Sequence, residues 1–304
     1  MSVNGSIRAI PRAKFAINFP HWTPAEHFIS VAGFTDPQTM TGSGQRIFVE
    51  AIRAWCGAHG IRCEVRSQGW LVVMERAGAR RFALGYDIGL NSAMAHRIAN
   101  DKSATAEVLA FSGIDCVPHR LFLSPKLGKH IAPDGSHEAM HELLRTYPDG
   151  VVAKPNEGTS GRLVFRARTE AELDHAVSEV FASHLGLALS PYVEIAEEVR
   201  VILLDGAPLA VYRKERGADW RHNLDFGARP VMLDHGAARD ACVAIAIRAA
   251  AAIGIRFASL DVVRVGESWR VLEINSGVMM ETLGKQHPEL VHAIYGAALD
   301  KVFE

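Results

Sequence analysis

The sequence predicts an α+β chain in which antiparallel hairpins alternate with helices. Three observations carry this. The stretch from Ala258 to Leu283 holds two β-branched runs around a short polar turn, Gly266-Glu267-Ser268, which is a hairpin signal. Two further turns, Asn156–Gly161 and Asp205-Gly206, each sit between short apolar runs. Between these hairpins lie helical patterns: an Ala-rich run from Ala237 to Ile253 ending at Gly254, and a Thr169/Glu172 capping box ahead of Leu173, Ala176, Val177, Val180 and Phe181. At 304 residues the chain is long enough for two or three subdomains around sizeable cores.

Taken in order, residues 1–45 are punctuated by Pro11, Pro20, Pro24, Pro37, Gly42 and Gly44, and only Phe15–Phe19 and Phe28–Val31 look strand-like. Arg46–His59 reads as a helix stopped by Gly60. Ile61–Val65, Trp70–Glu75 and Arg81–Leu84 read as strands of a βαβ-like opening domain. Asn91–Phe111 is helical with a break near Asn100-Asp101, and Ile114–Leu123 is extended. Glu138–Arg145 is a short helix. Val151–Lys154 and Leu163–Phe165 make a hairpin, and Leu187–Ile195 is a strand. Val201–Leu204 pairs with Leu209–Tyr212, Arg213–Pro230 is a polar loop, and Pro288–Phe303 is a last helix.

Bulk properties narrow the function. A formal net charge of -1 gives no basic excess for nucleic acid. No stretch approaches the roughly 18 apolar residues of a membrane span, so no membrane partner is expected. No apolar leader with a cleavage pattern is evident, and the four cysteines (Cys56, Cys63, Cys116, Cys242) are scattered without CxxC spacing. Reduced thiols in a cytoplasmic protein are the expectation. The fourteen histidines are expected to carry no metal-ligand pattern; His137 and His141, four apart in a polar segment, are read as a solvated helix face.

The chemistry is read first from the Ala258–Leu283 hairpin. A turn symmetrical about Glu267 pairs Asp261 with Glu273, and strand alternation puts Asn275 on the same face. Two acids on an otherwise apolar strand pair call for a compensating cation, and hard oxygen donors of this kind suit Mg²⁺ with phosphate. Lys154 enters the glycine-containing tip Glu157-Gly158-Thr159-Ser160-Gly161, whose backbone N–H groups can cradle phosphate oxygens. Lys102 stands at a helix start, against the helix dipole. The Tyr192–Ile195 strand end with Glu197 and Glu198 can meet a base and a ribose. Arg200, Arg213, Lys214, Arg216 and Arg221, with Asn223, form a basic set suited to an anion.

These segments, in this order, resemble the ATP-grasp superfamily, in particular the branch of ribosomal S6-type glutamate ligases, cyanophycin synthetase and the bacterial glutathione-synthesis ligases. The resemblance covers roughly residues 85 to 304. Asn91…Asn100-Asp101-Lys102…Gly113-Ile114…Val117-Pro118 is similar to the first-lysine helix, and Val152-Ala153-Lys154-Pro155…Gly161 to the second lysine and phosphate loop. Tyr192–Val201 resembles the adenine hinge and ribose carboxylate, Trp220–Gly227 the arginine–asparagine loop, and Leu260-Asp261-Val262 with Leu272–Ser276 the metal strands. Two departures stand out: Ser160-Gly161-Arg162-Leu163 lacks a second glycine common in relatives, and Ser276–Met280 replaces the frequent Pro-Gly after Asn275.

The resemblance implies an ATP-grasp fold: two α+β subdomains gripping ATP (residues 99–189, the lid with its phosphate loop, and 190–304, with the Mg²⁺ and substrate site). A small α/β pre-grasp domain, residues 1–98, precedes them. It implies an ATP-dependent carboxylate–amine ligase working through an acylphosphate on amino acids or peptides, with a small-molecule kinase or a non-catalytic nucleotide-binding module as alternatives. Implied catalytic residues are Arg221, Asn223 and Lys154. Implied nucleotide contacts are Lys102, Lys154, Glu157, Gly158, Ser160, Gly161, Glu194, Ile195, Glu197, Glu198, Arg200 and Lys214. Asp261, Glu273 and Asn275 are implied as ligands of two Mg²⁺ ions, with Mn²⁺ as a substitute. A homo-oligomer is among the implied states.

Overall fold

The computed structural model describes residues 46–128, 131, 134–158, 161–217 and 227–304. The strands expected before residue 46 lie outside the described residues.

Helix α1 (Ile47–Ala58) buries Phe48, Val49, Ile52 and Cys56 along one face, and Gly60, at φ 64°, lets the chain turn out of it. Strands β1 (Arg62–Arg66), β2 (Leu71–Arg76) and β3 (Ala79–Leu84) follow as an antiparallel meander. The βαβ-like opening expected from the sequence is therefore not formed by these residues. The links between strands are too short for a parallel crossover, which needs a dozen or more residues.

Helices α2 (Ala93–Asn100) and α3 (Lys102–Phe111) break where expected. Ser92 caps the first by accepting from the Ala95 N–H, and Asp101 caps the second by accepting from the Ala104 N–H. Next comes a four-stranded antiparallel sheet. Its strands are β4 (Arg120–Leu123), β5 (Val151–Pro155), β6 (Phe165–Ala167) and β7 (Gly186–Pro191), ordered β4-β7-β5-β6. Helices α4 (Ser136–Thr146) and α5 (Glu170–Ser183) cover it through Met140, Leu144, Leu173, Ala176 and Val180. The Thr169/Glu172 capping box forms as read. Strand β6 starts two residues later than expected because Leu163 turns at φ 54°.

The second sheet holds β8 (Glu197–Leu204), β9 (Ala207–Glu215), β10 (Arg229–Met232), β11 (Phe257–Val265) and β12 (Ser268–Asn275), ordered β10-β9-β8-β11-β12 and antiparallel. The run read as one strand to Ile195 stops at Pro191, and β8 begins afresh at Glu197. The expected polar loop from Arg213 is strand as far as Glu215, and its far end, β10, pairs back onto β9. That extension carries Lys214 into the interior.

Alternation gives this sheet two faces. One, with Val199, Val201, Leu203, Leu260 and Val262, packs on α6 (Ala237–Ile253) together with Ala95, Ala99 and Leu109 of α2 and α3. The segment expected to form one lid, residues 99–189, is thus divided. Helix α3 belongs to the core of the five-stranded sheet, while β4 to β7 have a core of their own. The other face is apolar at one end, where Ile202, Leu204, Tyr212 and Phe257 meet α1, the meander, the short α7 (Glu281–Gly284) and α8 (Pro288–Phe303). Farther along the same strands that face turns charged.

The β11–β12 hairpin pairs Asp261 with Glu273 as read, by a different route. Val265 faces Ser268 across a two-residue turn, Gly266-Glu267, and a bulge at Leu272 shifts the register by one. Ser259, Asp261, Glu273 and Asn275 end on one face.

Gly150, entering β5 at φ 92°, leaves no room for a side chain: a Cβ there would overlap the Ala167 carbonyl oxygen across the hairpin. Gly150→Ala is expected to destabilise the protein by about 1–3 kcal/mol, measured by denaturant unfolding. Wild-type stability would mean that this edge of the four-stranded sheet shifts freely.

Candidate active site

The charged end of the five-stranded sheet is built from alternate residues of neighbouring strands. Register sets Arg200 of β8 beside Asp261 of β11. Arg200 grips the carboxylate with both arms of its guanidinium, Nε to Oδ1 at 2.7 Å and Nη2 to Oδ2 at 2.6 Å. Lys214 of β9 reaches the same Oδ2 at 2.8 Å and Glu198 Oε1 at 2.5 Å. Glu198, Lys214 and Asp261 are all buried. Burial alone would raise the Asp261 pKa, but the Arg200 and Lys214 charges outweigh it and hold the carboxyl well below its usual range. Burial pushes Glu198 up to about 7 against the pull of Lys214.

A cavity of roughly 650 Å³ opens over this cluster, between the two sheets. Glu198, Arg200, Lys214, Ser259, Glu273 and Asn275 line its floor. Asp261 is fully buried beneath them and is not part of the lining. Glu273 Oε1 accepts a long hydrogen bond of 3.5 Å from the Asn275 amide. The Ser259 hydroxyl, buried against the cavity, has no hydrogen-bond partner among the described residues. A buried hydroxyl in this position is left for a partner from outside the chain, water or ligand.

Lys154 and Lys102 come from different elements, a strand and a helix start. Lys154 stands on β5 with its ammonium pushed down to about 8 by burial, an effect that the Glu273 charge opposes. Lys102 opens α3, and its Nζ donates to the Gly158 carbonyl at 2.8 Å. The helix start is stitched to the same strand end, since the Lys102 and Ser103 N–H groups donate to the Asn156 carbonyl and side-chain oxygens. Beside both lysines, His119 is buried with its ring Nδ1 2.9 Å from the Val117 carbonyl. Burial, then the Lys154 charge, drives its pKa well below the usual histidine value.

Of the other expected contacts, Gly158, Gly161, Glu194 and Ile195 line the cavity. Tyr192 donates to Glu194 Oε2 at 2.9 Å, and the Arg166 guanidinium lies 3.2 Å from the Tyr192 ring centre. Glu157 is exposed and outside the lining. Glu197 points to the other face of β8 and pairs with Arg264 at 2.7 Å, so it is not brought to the cavity. Ser160, Arg221 and Asn223 lie outside the described residues.

The far wall was not read from the sequence. Trp70, Tyr86, Asp87, His96, Asn100 and Met279 line it. Asn100 accepts from the Ser276 hydroxyl at 3.1 Å and donates to His96 Nε2 at 3.0 Å. Ser259 was within reach, being two residues before Asp261 on the same strand. One expectation about histidines fails outright: His137-Glu138-Ala139-Met140-His141 is an HExxH run, and the two rings converge on Asp174 on a helix surface. All four cysteines are free thiols. No helix among the described residues is long and apolar enough to cross a membrane.

Residues 99–290 match the family model described as the RimK-like ATP-grasp domain. The chain is 26% identical over 217 residues to the ribosomal protein bS6–L-glutamate ligase of Escherichia fergusonii, covering 69% of this chain and 66% of that one. It is 27% identical over 210 residues to a probable alpha-L-glutamate ligase of Serratia proteamaculans, with coverages of 66% and 64%. It thus spans just under two thirds of the length of these relatives. Among solved structures, D-alanine–D-alanine ligase from Bacillus anthracis, complexed with ATP, aligns with a TM-score of 0.54 at 17% identity, over 70% of this chain and 67% of that one. D-cycloserine synthetase DcsG aligns with a TM-score of 0.53 at 22% identity, over 67% and 71%. Both share the fold. A family model that covers well over half of the chain, including most of the segments that line the cavity, makes this protein a member of the RimK-like ATP-grasp domain family.

Proposed function

We propose that the protein is an ATP-dependent ligase that joins a carboxylate to an amine, each carried by an amino acid or a peptide. The observation that carries this reading is a single cavity lined by Lys102, Lys154, Glu273 and Asn275, with an orphaned Ser259 hydroxyl on its floor. The named relatives, both glutamate ligases, support the same class. In the reaction a substrate carboxylate oxygen attacks the γ-phosphorus, the bond to ADP breaks, and an acylphosphate forms. An amine then attacks the carbonyl carbon and phosphate leaves, giving the amide.

Phosphoryl transfer needs charge neutralisation and alignment more than a protein nucleophile. We assign Lys102 and Lys154 to the α- and β-phosphates, and Gly158, Ser160 and Gly161 to the phosphate loop. Val152 and Leu272 offer apolar walls for a base, with the Glu194–Ile195 backbone beside it. Of the acids expected to meet a ribose, Glu194 and Glu198 face the cavity, and Glu197 is committed to Arg264. Arg221 and Asn223 keep their sequence-based assignment to the transferring phosphoryl and the tetrahedral intermediate. The donor set fits Mg²⁺, or Mn²⁺, at Glu273 and Asn275, which turn a carboxylate and an amide towards the cavity. Asp261 joins that set only through a rearrangement, since it is buried beneath the lining with Arg200 and Lys214 on its two oxygens. When bound, the ion supplies positive charge to the phosphates. We read β4 to β7 as the lid over the nucleotide, and we place the reaction in the cytoplasm on the strength of four free thiols and the use of ATP by the family.

Hydroxylamine trapping tests the class. With ATP and a cognate carboxylate, hydroxylamine should intercept the acylphosphate as a hydroxamate. ADP formation without hydroxamate would make the enzyme a kinase instead. Glu273→Ala and Lys154→Ala should each lower ADP release by about 100-fold or more while circular dichroism stays that of the wild type. Wild-type turnover by either variant would overturn the site assignment.

The Lys154 ammonium also sets a pH dependence. With a free-protein pKa of about 8, it is charged below that value and neutral above. Phosphate favours the charged form, so ATP affinity should fall as pH rises through 8, by up to about tenfold per unit. Lys154→Arg keeps its charge across that range and should flatten the slope. The check is nucleotide titration by calorimetry from pH 7 to 9.5, and a flat wild-type profile would remove Lys154 from phosphate binding.

A further inference from the structure

Helix α4 carries His137-Glu138-Ala139-Met140-His141. Four-residue spacing stacks the two imidazoles on one face, with ring centres 4.2 Å apart. Helix α5 brings Asp174 against them. Its Oδ1 lies 2.9 Å from His137 Nε2 and 2.8 Å from His141 Nε2, so two ring nitrogens and one carboxylate oxygen converge within 4.8 Å of one another. Behind this trio, His141 Nδ1 lies 3.5 Å from Glu170 Oε1, and Arg145 donates to that same Oε1 at 3.1 Å. A neutral His141 has one N–H to share between the two carboxylates. With a metal on Nε2, the Nδ1 proton is left for Glu170, the carboxylate–histidine arrangement that orients metal-bound imidazoles.

We propose that His137 Nε2, His141 Nε2 and Asp174 Oδ1 bind a Zn²⁺ ion, with water in the fourth position. Two imidazoles and a carboxylate favour Zn²⁺ over Mg²⁺, which takes oxygen donors. The site lies on the outer surface of the helices over the four-stranded sheet, apart from the residues assigned to ATP. It is a clasp and not a hydrolytic centre. In hydrolytic sites of this spacing the intervening glutamate works on the metal-bound water, whereas Glu138 Oε1 here is held by Arg145 Nη2 at 2.6 Å. The ion ties the start of α4 to α5, two helices that otherwise meet through the Met140, Leu144, Leu173 and Ala176 core and the Arg145–Glu170 pair. Occupancy stabilises the four-stranded sheet unit by mass action.

The test is titration of the chelator-stripped full chain with Zn²⁺ by calorimetry, without nucleotide, alongside thermal unfolding and the visible absorption of the Co²⁺ form. One equivalent should bind, raise the unfolding midpoint and give the intense absorption of tetrahedral Co²⁺. His137→Ala and Asp174→Asn, both at exposed positions, should weaken binding by about 100-fold, and Glu170→Gln by about 10–100-fold. Glu273→Gln should bind Zn²⁺ as the wild type does, which separates this site from the active site. No binding to the wild type, or equal binding by the His137 and Asp174 variants, would overturn the proposal while leaving the ligase reading intact.

Discussion

The structure depends on a balanced set of charges buried on one face of a sheet. With Glu198 ionised, Arg200, Lys214, Glu198 and Asp261 sum to zero, and each ion is in contact with an opposite one. Ions taken out of water cost several kcal/mol each unless such pairing compensates them. The compensation is possible because β8, β9 and β11 are adjacent and in register, so side chains from different strands meet without long reaches. Farther along the same face the sheet is ordinary apolar core. One surface therefore anchors α1, the meander and α8 at one end and carries the charged cluster under the cavity at the other, and the core at the first end fixes the geometry at the second.

The lysines extend this electrostatic design. Lys154 sits on a strand of one sheet and Lys102 at the start of a helix that packs on the other. Two cations brought close, one of them buried, repel each other and raise the local positive potential of the cavity. His119, packed beside them, stays neutral and so adds no third charge. The Gly158 carbonyl meets Lys102 meanwhile, keeping its ammonium hydrogen-bonded and already oriented. Preorganised donors of this kind lose little further freedom when a ligand takes the place of the temporary acceptor.

Much of the site was legible in the sequence because strand alternation is a strict rule. Glu273 and Asn275 share a face by alternation, Asp261 was set opposite them through a turn taken as symmetrical about Glu267 where the structure uses a two-residue turn and a bulge, and the Lys102 and Lys154 segments stood out through the family resemblance. What was not legible came from longer-range pairing. Lys214 is buried because β10 returns to β9, which local residue types after Arg213 do not announce. Part of the far wall, Trp70, Tyr86 and Asp87, comes from in and just after a short meander that packs on a helix some 200 residues away in sequence and has no local chemical signature. Glu197 and Glu198 look alike in sequence, and only the facing of β8 separates an ion pair with Arg264 from a cavity residue. The HExxH run was in plain view, but its third ligand, Asp174, is supplied by the packing of α5 on α4.

The bulge at Leu272 has a consequence for how such a chain can change over generations. The Gly266-Glu267 turn, left to itself, would set Asp261 opposite Leu272 and send Glu273 and Asn275 to the side of α6. One supernumerary residue reverses that, and it also lets Leu272 and Glu273 both face the cavity. Single-residue insertions and deletions between Val262 and Asn275 are therefore not neutral changes of length, because each exchanges inside for outside. The length of this hairpin can change without moving Glu273 and Asn275 to the other face only in compensated steps.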